Sequence, residues 1–379
     1  MNIGFLSSGD SQNKRTWSGI SYYIAKQLEL HCGEVTHLGP IPGNPMFWGK
    51  VGNKILQKLT TKRYNFVHNF SLARKYANFF QPKIDKGHFD VIVAASSSTE
   101  LCLIETDIPI ISINDITSQL IQGYYPEYSK LTVNSQRVHH KIEQMSLAKS
   151  RLIIYPSEWA ANSARLDYKL PKSRIECVPF GANIDNEDIP EMSIIQKKKQ
   201  GEVCNLLFVG VDWERKGGRI AYETMLELLN RGINTTLTVC GCTPPIEFRH
   251  KNLRVIPFLN KNIPTQKKIF AELFLASSFF ILPTRQEAYG IVFCEAGAYG
   301  VPSITTNTGG VTEIIQNAVN GYVMELSSGA KDYADVIEKV WRNTDEYLKL
   351  VLQSRKQFNI KFNWDIWGER VGAMIKELL

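Results

Sequence analysis

"NEDIPEMSIIQKKKQGEVCNLLFVG", residues 186–210, decides how the chain is read. Residues 186–203 are polar, carry three consecutive lysines at 197–199 and show no clear period. "NLLFVG" (205–210) then opens a fresh apolar run, much as "NIGFL" (2–6) opens the first. A polar linker followed by a restart places a domain boundary near 185–203 and predicts two domains of similar size.

Working outward, short apolar runs recur on both sides of that linker. Before it stand "DVIVAAS" (90–96), "IPIISIN" (108–114), "RLIIYPS" (151–157) and "IECVPFG" (175–181). After it come "TTLTVCG" (235–241), "LRVIPFL" (253–259), "SFFILPT" (278–284) and "VPSITT" (301–306). Continuous apolar runs of this length suit strands buried on both faces. Helical patterns at 19–31, 136–149, 217–231 and 290–299 separate them. Alternation of this kind predicts α/β architecture, with two doubly wound, Rossmann-like parallel sheets. Ligands of such sheets sit beyond the carboxyl ends of the strands, so two facing domains would enclose a deep cleft.

Composition narrows the function. Of 379 residues, 44% are hydrophobic and 21% charged, as in a soluble globular protein. A net charge of +7 suits anionic small molecules or an anionic membrane surface. No nucleic-acid module accompanies it, so no nucleic acid is expected as a partner. Seven cysteines without a C-x-x-C pair read as reduced core residues, which favours the cytoplasm. The N-terminus lacks a signal-peptide pattern, and no stretch approaches the ~20 apolar residues that span a bilayer.

Residues 35–84 contain no acid but eight cations: Lys50, Lys54, Lys58, Lys62, Arg63, Arg74, Lys75 and Lys83. The first four recur every four residues and line one helical face. Phe47, Trp48, Val51, Ile55, Leu56 and Leu59 supply an apolar side. Two readings of 46–63 stand: a basic amphipathic helix resting peripherally on anionic lipid, or a solvated lysine face over a core face.

The chemistry concentrates in "TRQEAYGIVFCEAGAYG" (284–300). A helix is expected from Tyr289 or Gly290, and its free N–H groups suit a phosphate. Glu287 precedes it; Glu295 lies about two turns in. A helical rise would set the two acids ~12 Å apart, comparable to the two sugars of a sugar nucleotide. Glu295 sits among Val292, Phe293, Cys294 and Ala296 with no cation nearby in sequence, which points to a ligand as its companion. As an alternative, Glu287 only compensates the helix dipole. In "FVGVDWERKGG" (208–218), Arg215 and Lys216 offer fixed positive charge to a diphosphate, and Gly217 and Gly218 permit close backbone approach. The segment is not a P-loop, since no Ser or Thr follows the lysine. "SSGDSQNKRTWSGIS" (7–21), with Gly9 and Gly19, and "NTGGVTEI" (307–314) are further strand-to-helix turns.

These segments resemble the donor region of the family 4 retaining glycosyltransferases, which have the GT-B fold. The E-x7-E pair falls at Glu287 and Glu295. "VGVDWERKGG", "YPSEWAANSA" (155–164) and "PFGANID" (179–185) also resemble family segments. "FNWDIWGERVGAMIKELL" (362–379) looks like the closing helix that crosses back onto the first domain. The resemblance implies an acceptor-binding domain over 1–185 plus 362–379 and a nucleotide-sugar-binding domain over 186–361. It implies that Lys216, with Arg215 and Glu287, carries catalysis. It also implies that Glu295 binds ribose, that Ala288, Tyr289, Gly290 and Ile291 face the sugar diphosphate, and that Gly19 lets the diphosphate approach. Where the family usually has arginine after the strand's glycine, this chain has Val211, and Arg215 is expected to replace it. The expected reaction moves a sugar from a nucleotide-diphosphate sugar to a hydroxyl of a glycan, lipid or other acceptor, with retention. No cofactor and no divalent metal are expected. In the first domain, "SINDITSQLIQGYYPEY" (112–128) supplies Asp115 and Tyr124 as acceptor-site candidates; Asp115 reads equally well as a helix N-cap. A sugar-nucleotide epimerase on the same fold and a non-catalytic nucleotide-sugar binder are the alternatives.

Overall fold

The apolar runs become strands because a parallel sheet covered on both faces leaves no polar side to satisfy. The computed structural model describes residues 1–379. The first sheet contains β1 (Asn2–Leu6), β2 (Glu34–His37), β3 (Val91–Ala95), β4 (Ile110–Ile113), β5 (Leu152–Tyr155) and β6 (Ile175–Cys177). The second contains β7 (Cys204–Val209), β8 (Thr235–Cys240), β9 (Leu253–Ile256), β10 (Phe279–Leu282), β11 (Ser303–Thr306) and β12 (Gly321–Met324). All pairings within both sheets are parallel.

Two compact units result. One comprises Met1–Pro179 and Trp367–Leu379, the other Phe180–Ile366. The final helix, Trp364–Leu378, carries the chain back into the first unit. There Gly368 lies against Gln27 and His31, where a Cβ would approach to 2.5 Å.

Strand order separates the two sheets. The first runs β2-β1-β3-β4-β5-β6, with its reversal between β1 and β3. The second runs β12-β11-β10-β7-β8-β9, so its first strand, β7, lies beside β10 at the centre. Winding proceeds outward from that junction in both directions. The turns leaving β7 and β10 therefore diverge onto opposite faces and leave a crevice at their carboxyl ends. The register Phe279↔Leu206 and Phe280↔Leu207 fixes this junction. Phe208, Phe279, Phe280, Phe274 and Tyr299 are fully buried around it and make it rigid.

The helix Phe47–Leu59 has no buried residue. Its Gly49 side faces Phe66, where a Cβ would come within 2.7 Å, and Asn53 Oδ1 accepts from Tyr64 N at 2.9 Å. Gly49 and Asn53 thus face the protein, and Val51 and Leu56 are half-buried as they are. Phe47, Trp48, Ile55 and Leu59 are exposed by 50, 75, 54 and 78%. Of the six apolar residues read as one side, these four are exposed and Val51 and Leu56 are half-buried, so most of the apolar side points outward rather than into a core.

Candidate functional site

The crevice of the second unit is built from two turns that must touch. The turn after β7 holds Trp213 buried against Phe208 and Phe248, with ring centroids 5.7 and 5.2 Å away. The Trp213 ring covers Gly218, where a Cβ would lie 2.2 Å from it. Gly217 adopts φ +74°, and a Cβ there would strike Pro283 O at 2.0 Å. This left-handed, side-chain-free position brings the two turns into backbone contact. Arg285 N donates to Arg215 O at 2.8 Å, and Arg215 Nη1 donates to Gln286 O at 3.0 Å. Asp212 Oδ1 accepts from Arg215 N at 3.0 Å. Arg215 therefore clasps the second turn through its backbone as well as bringing charge to it.

Lys216 and Glu287 meet at this junction. Their ammonium and carboxylate form a direct ion pair, with both side chains largely buried. The aliphatic stem of Lys216 lies over Gly210, where a Cβ would come within 3.0 Å of Lys216 Cγ. Ala288, Tyr289 and Gly290 follow, all buried, and lead into the helix Ile291–Ala298. Gly290 has φ +95° and serves as N-cap, so the cap residue itself offers the opening N–H groups no side-chain oxygen. The Tyr289 hydroxyl donates to Phe180 O at 2.9 Å, which fixes that ring. The turn 307–310 closes the third side, with Gly310 N donating to Ala288 O at 3.1 Å.

Glu295 differs from the sequence expectation in two respects. It is the fifth residue of the helix, one turn in. Glu287 lies in the preceding loop, so helical rise does not set the spacing between the two acids. It also has a protein cation. Lys261 Nζ lies 2.6 Å from Glu295 Oε1, donates to Asn183 O at 3.2 Å and sits 5.0 Å from the Phe270 ring centroid. The carboxyl is only 3% exposed. Burial raises its pKa, and Lys261 pulls it part of the way back. The reading that only a ligand accompanies this acid is corrected. Its partner stands 34 positions away, in the turn after β9, where sequence proximity gives no signal.

Gly19, Asp115 and Tyr124 lie in the first unit. Trp17, Ser18 and Gly19 occupy consecutive left-handed positions, with φ of 46°, 57° and 95°, before the helix Ile20–His31. Asp115 is not a helix N-cap: that place belongs to Thr117, whose hydroxyl accepts from Leu120 N at 3.3 Å. Asp115 Oδ2 instead accepts from Trp17 Nε1 at 3.3 Å, joining the turn after β4 to the turn after β1. Tyr124 packs against Tyr125 and Trp159, with ring centroids 5.1 and 5.4 Å away. The densest acid cluster, Asp185, Glu187 and Asp188, is met by Lys267, 3.3 Å from Asp185 and 2.5 Å from Asp188.

Residues 191–357 match the profile of a family described as glycosyl transferases group 1. Among curated relatives, the lipopolysaccharide glucosyltransferase WaaG of Escherichia coli is 30% identical over 45% of this chain and 48% of its own. The capsular polysaccharide biosynthesis glycosyltransferase CapM of Staphylococcus aureus is 27% identical over 65% of this chain and 60% of its own. Spore coat protein SA of Bacillus subtilis is 25% identical over 44% and 47%. The chain spans about half the length of most of the curated relatives it matches. Solved structures share the fold over nearly the whole chain. WaaG gives a TM-score of 0.63 at 18% identity, covering 99% of both chains. The sucrose-phosphate synthase of Thermosynechococcus elongatus gives 0.72 at 14%, covering 100% and 99%. HepE of Anabaena, solved with UDP and glucose, gives 0.67 at 14%, covering 100% of both. The architecture is thus the two-domain α/β fold of the GT-B glycosyltransferases.

Proposed function

We propose that this protein is a retaining glycosyltransferase that moves a sugar from a nucleotide-diphosphate sugar to a hydroxyl acceptor without a divalent metal. One observation carries the reading: a buried Lys216–Glu287 ion pair stands at the topological switch point of the second sheet, beside an uncapped helix start. The similarity of residues 191–357 to group 1 glycosyltransferases supports it.

The charges give the mechanism. Breaking the bond from sugar to phosphate leaves negative charge on the diphosphate and oxocarbenium character on the sugar. Lys216 stabilises the departing diphosphate, together with Arg215 and the N–H groups at Ile291. Glu287 accepts hydroxyls of the transferred sugar, and Glu295 those of the ribose. The backbone from Ala288 to Ile291 lines the path between them. In the resting protein, Lys216 and Glu287 hold each other in place. Donor entry replaces this one pair with two contacts, ammonium to phosphate and carboxylate to hydroxyls, so neither buried charge is stranded. Gly19, Asp115 and Tyr124 serve the acceptor side, with Asp115 held by Trp17. The acceptor is a hydroxyl of a glycan, lipid-linked or small molecule, and the enzyme works as a peripheral protein at the cytoplasmic membrane face.

The test is a hydrolysis screen of purified protein against UDP-, GDP-, ADP- and dTDP-sugars, followed by acceptor-dependent release of the nucleoside diphosphate. The expected result is release with one donor and retained anomeric configuration in the product. Epimerisation without release, or tight nucleotide binding without turnover, would overturn the reading.

A further inference from the structure

The helix Phe47–Leu59 is assembled the wrong way round for a soluble surface. Amphipathic helices ordinarily turn the apolar stripe inward. Here Gly49 and Asn53 face the protein, while Trp48, Ile55 and Leu59 share the outward side with Phe47. Lys50, Lys54 and Lys58 run along one flank of that stripe at intervals of four. No acid occurs anywhere from 35 to 84. Nothing in the first unit covers the stripe, since no residue of the helix is buried. No helix of the chain is long and apolar enough to cross a membrane, so any lipid contact would be made from the surface.

We propose that this helix is a docking surface for an anionic phospholipid bilayer, lying in the interface plane with Trp48, Ile55 and Leu59 in the acyl boundary and the lysines at the headgroups. The chemistry is complementary at every position. A tryptophan with both apolar area and an N–H donor suits the headgroup level. Lysines lay their stems along apolar surface while their ammonium groups reach phosphate. A protein partner fits less well. The exposed ridge is convex and occupies one 13-residue helix. A stable protein interface uses roughly 20–30 residues a side. This inference does not depend on the sugar-transfer reading.

Vesicle flotation of the full chain tests it, using phosphatidylcholine alone and phosphatidylcholine mixed with phosphatidylglycerol. Binding is expected only to the mixed vesicles and is expected to fall as salt rises. Lys50→Gln, Lys54→Gln and Lys58→Gln together should lower the partition coefficient about 100-fold, since each lysine near an anionic leaflet contributes about one factor of five. Trp48→Ser with Leu59→Ser should abolish the binding that survives high salt. All five positions are exposed, so thermal melting of these variants should match the parent. Equal recovery on both vesicle types, or unchanged binding by the lysine variant, would overturn the assignment. So would sedimentation showing that Trp48 and Leu59 instead hold two copies of the chain together.

Discussion

The two units answer the problem of a buried carboxylate differently. In the second, Glu287 and Glu295 each meet a lysine, Lys216 and Lys261. In the first, the buried acids are Glu100 and Glu143. Glu100 has a hydrogen bond to the Ser8 side chain, and burial pushes it up to about 7. Glu143 accepts from Ser118 N and from the Tyr168 hydroxyl at 2.8 Å, and burial raises it too. The hydroxyl and N–H donors favour the ionised carboxyl, and at both acids burial outweighs them. An ammonium favours only the charged form. The contrast therefore separates acids met by ammonium groups in the second unit from acids met by hydroxyls and a backbone N–H in the first. Fixed positive charge, which those ammonium groups carry, is what a departing diphosphate requires.

The largest effect should come from breaking charge in the second unit. Lys216→Ala and Glu287→Ala should each lower turnover about 100- to 1,000-fold, the scale for one lost charge-stabilising donor. The double variant should cost far less than the product of the two, because they share one site. Steady-state kinetics on the donor found by the hydrolysis screen checks this. A Lys216→Ala enzyme at parental turnover would remove the lysine from the mechanism.

The strand pattern was legible because the central strands are apolar on both faces: Asn2–Leu6 and Cys204–Val209 fall almost where "NIGFL" and "NLLFVG" stand. Two of the four edge strands, Glu34–His37 and Gly321–Met324, were not. Each is four residues long and only partly buried, and Glu34–His37 holds a single apolar residue, Val35, so no continuous apolar run marks it. Glu287, Lys216 and Arg215 were legible as loop residues between a strand and a helix. Their mutual contact was not, since it depends on β7 and β10 being neighbours despite the two strands between them in the chain. Lys261 was missed for the same reason. The outward turn of the helix Phe47–Leu59 was one of two readings the sequence left open. Periodicity reveals that two faces differ, and only Phe66 and Tyr64 reveal which one the protein occupies.

A smaller effect sharpens the comparison through stability. Lys261→Met leaves Glu295 buried without its cation and should destabilise the second unit by about 1.5–3 kcal/mol, the cost of stranding a charged group. Adding Glu295→Gln should recover most of that loss while leaving nucleotide binding weak. Denaturant melts of the parent, both singles and the double close the cycle. If Lys261→Met alone is as stable as the parent, Glu295 does not depend on the ammonium, and the distinction between the units fails.

The smallest effect belongs to the first unit and to pH. His68 and His139 stack with centroids 4.0 Å apart and planes 8° from parallel. The His68 ring nitrogen meets the Thr99 hydroxyl at 2.7 Å, whereas His139 Nδ1 has no protein partner. Burial lowers His68 to about 4 and His139 to about 2, and the charges of His68 and His140 add to the lowering at His139. Both stay neutral in the folded chain while the unfolded chain takes up protons below about 6.5, so the pair costs stability as pH falls through that value. Glu100 acts in the opposite sense. Raised to about 7, it binds its proton in the fold before it would in the unfolded chain, and it favours folding as pH falls from 7 toward the ordinary carboxylate range. The parent's pH profile mixes the two, but the difference between His139→Phe and the parent isolates one ring. Phenylalanine keeps the stack on His68 without a site for a proton. The variant's stability relative to the parent should therefore grow by about 1 kcal/mol between pH 7 and pH 5.5, read from denaturant midpoints at each pH. A difference that stays flat across that range would mean His139 is already free to accept a proton in the fold.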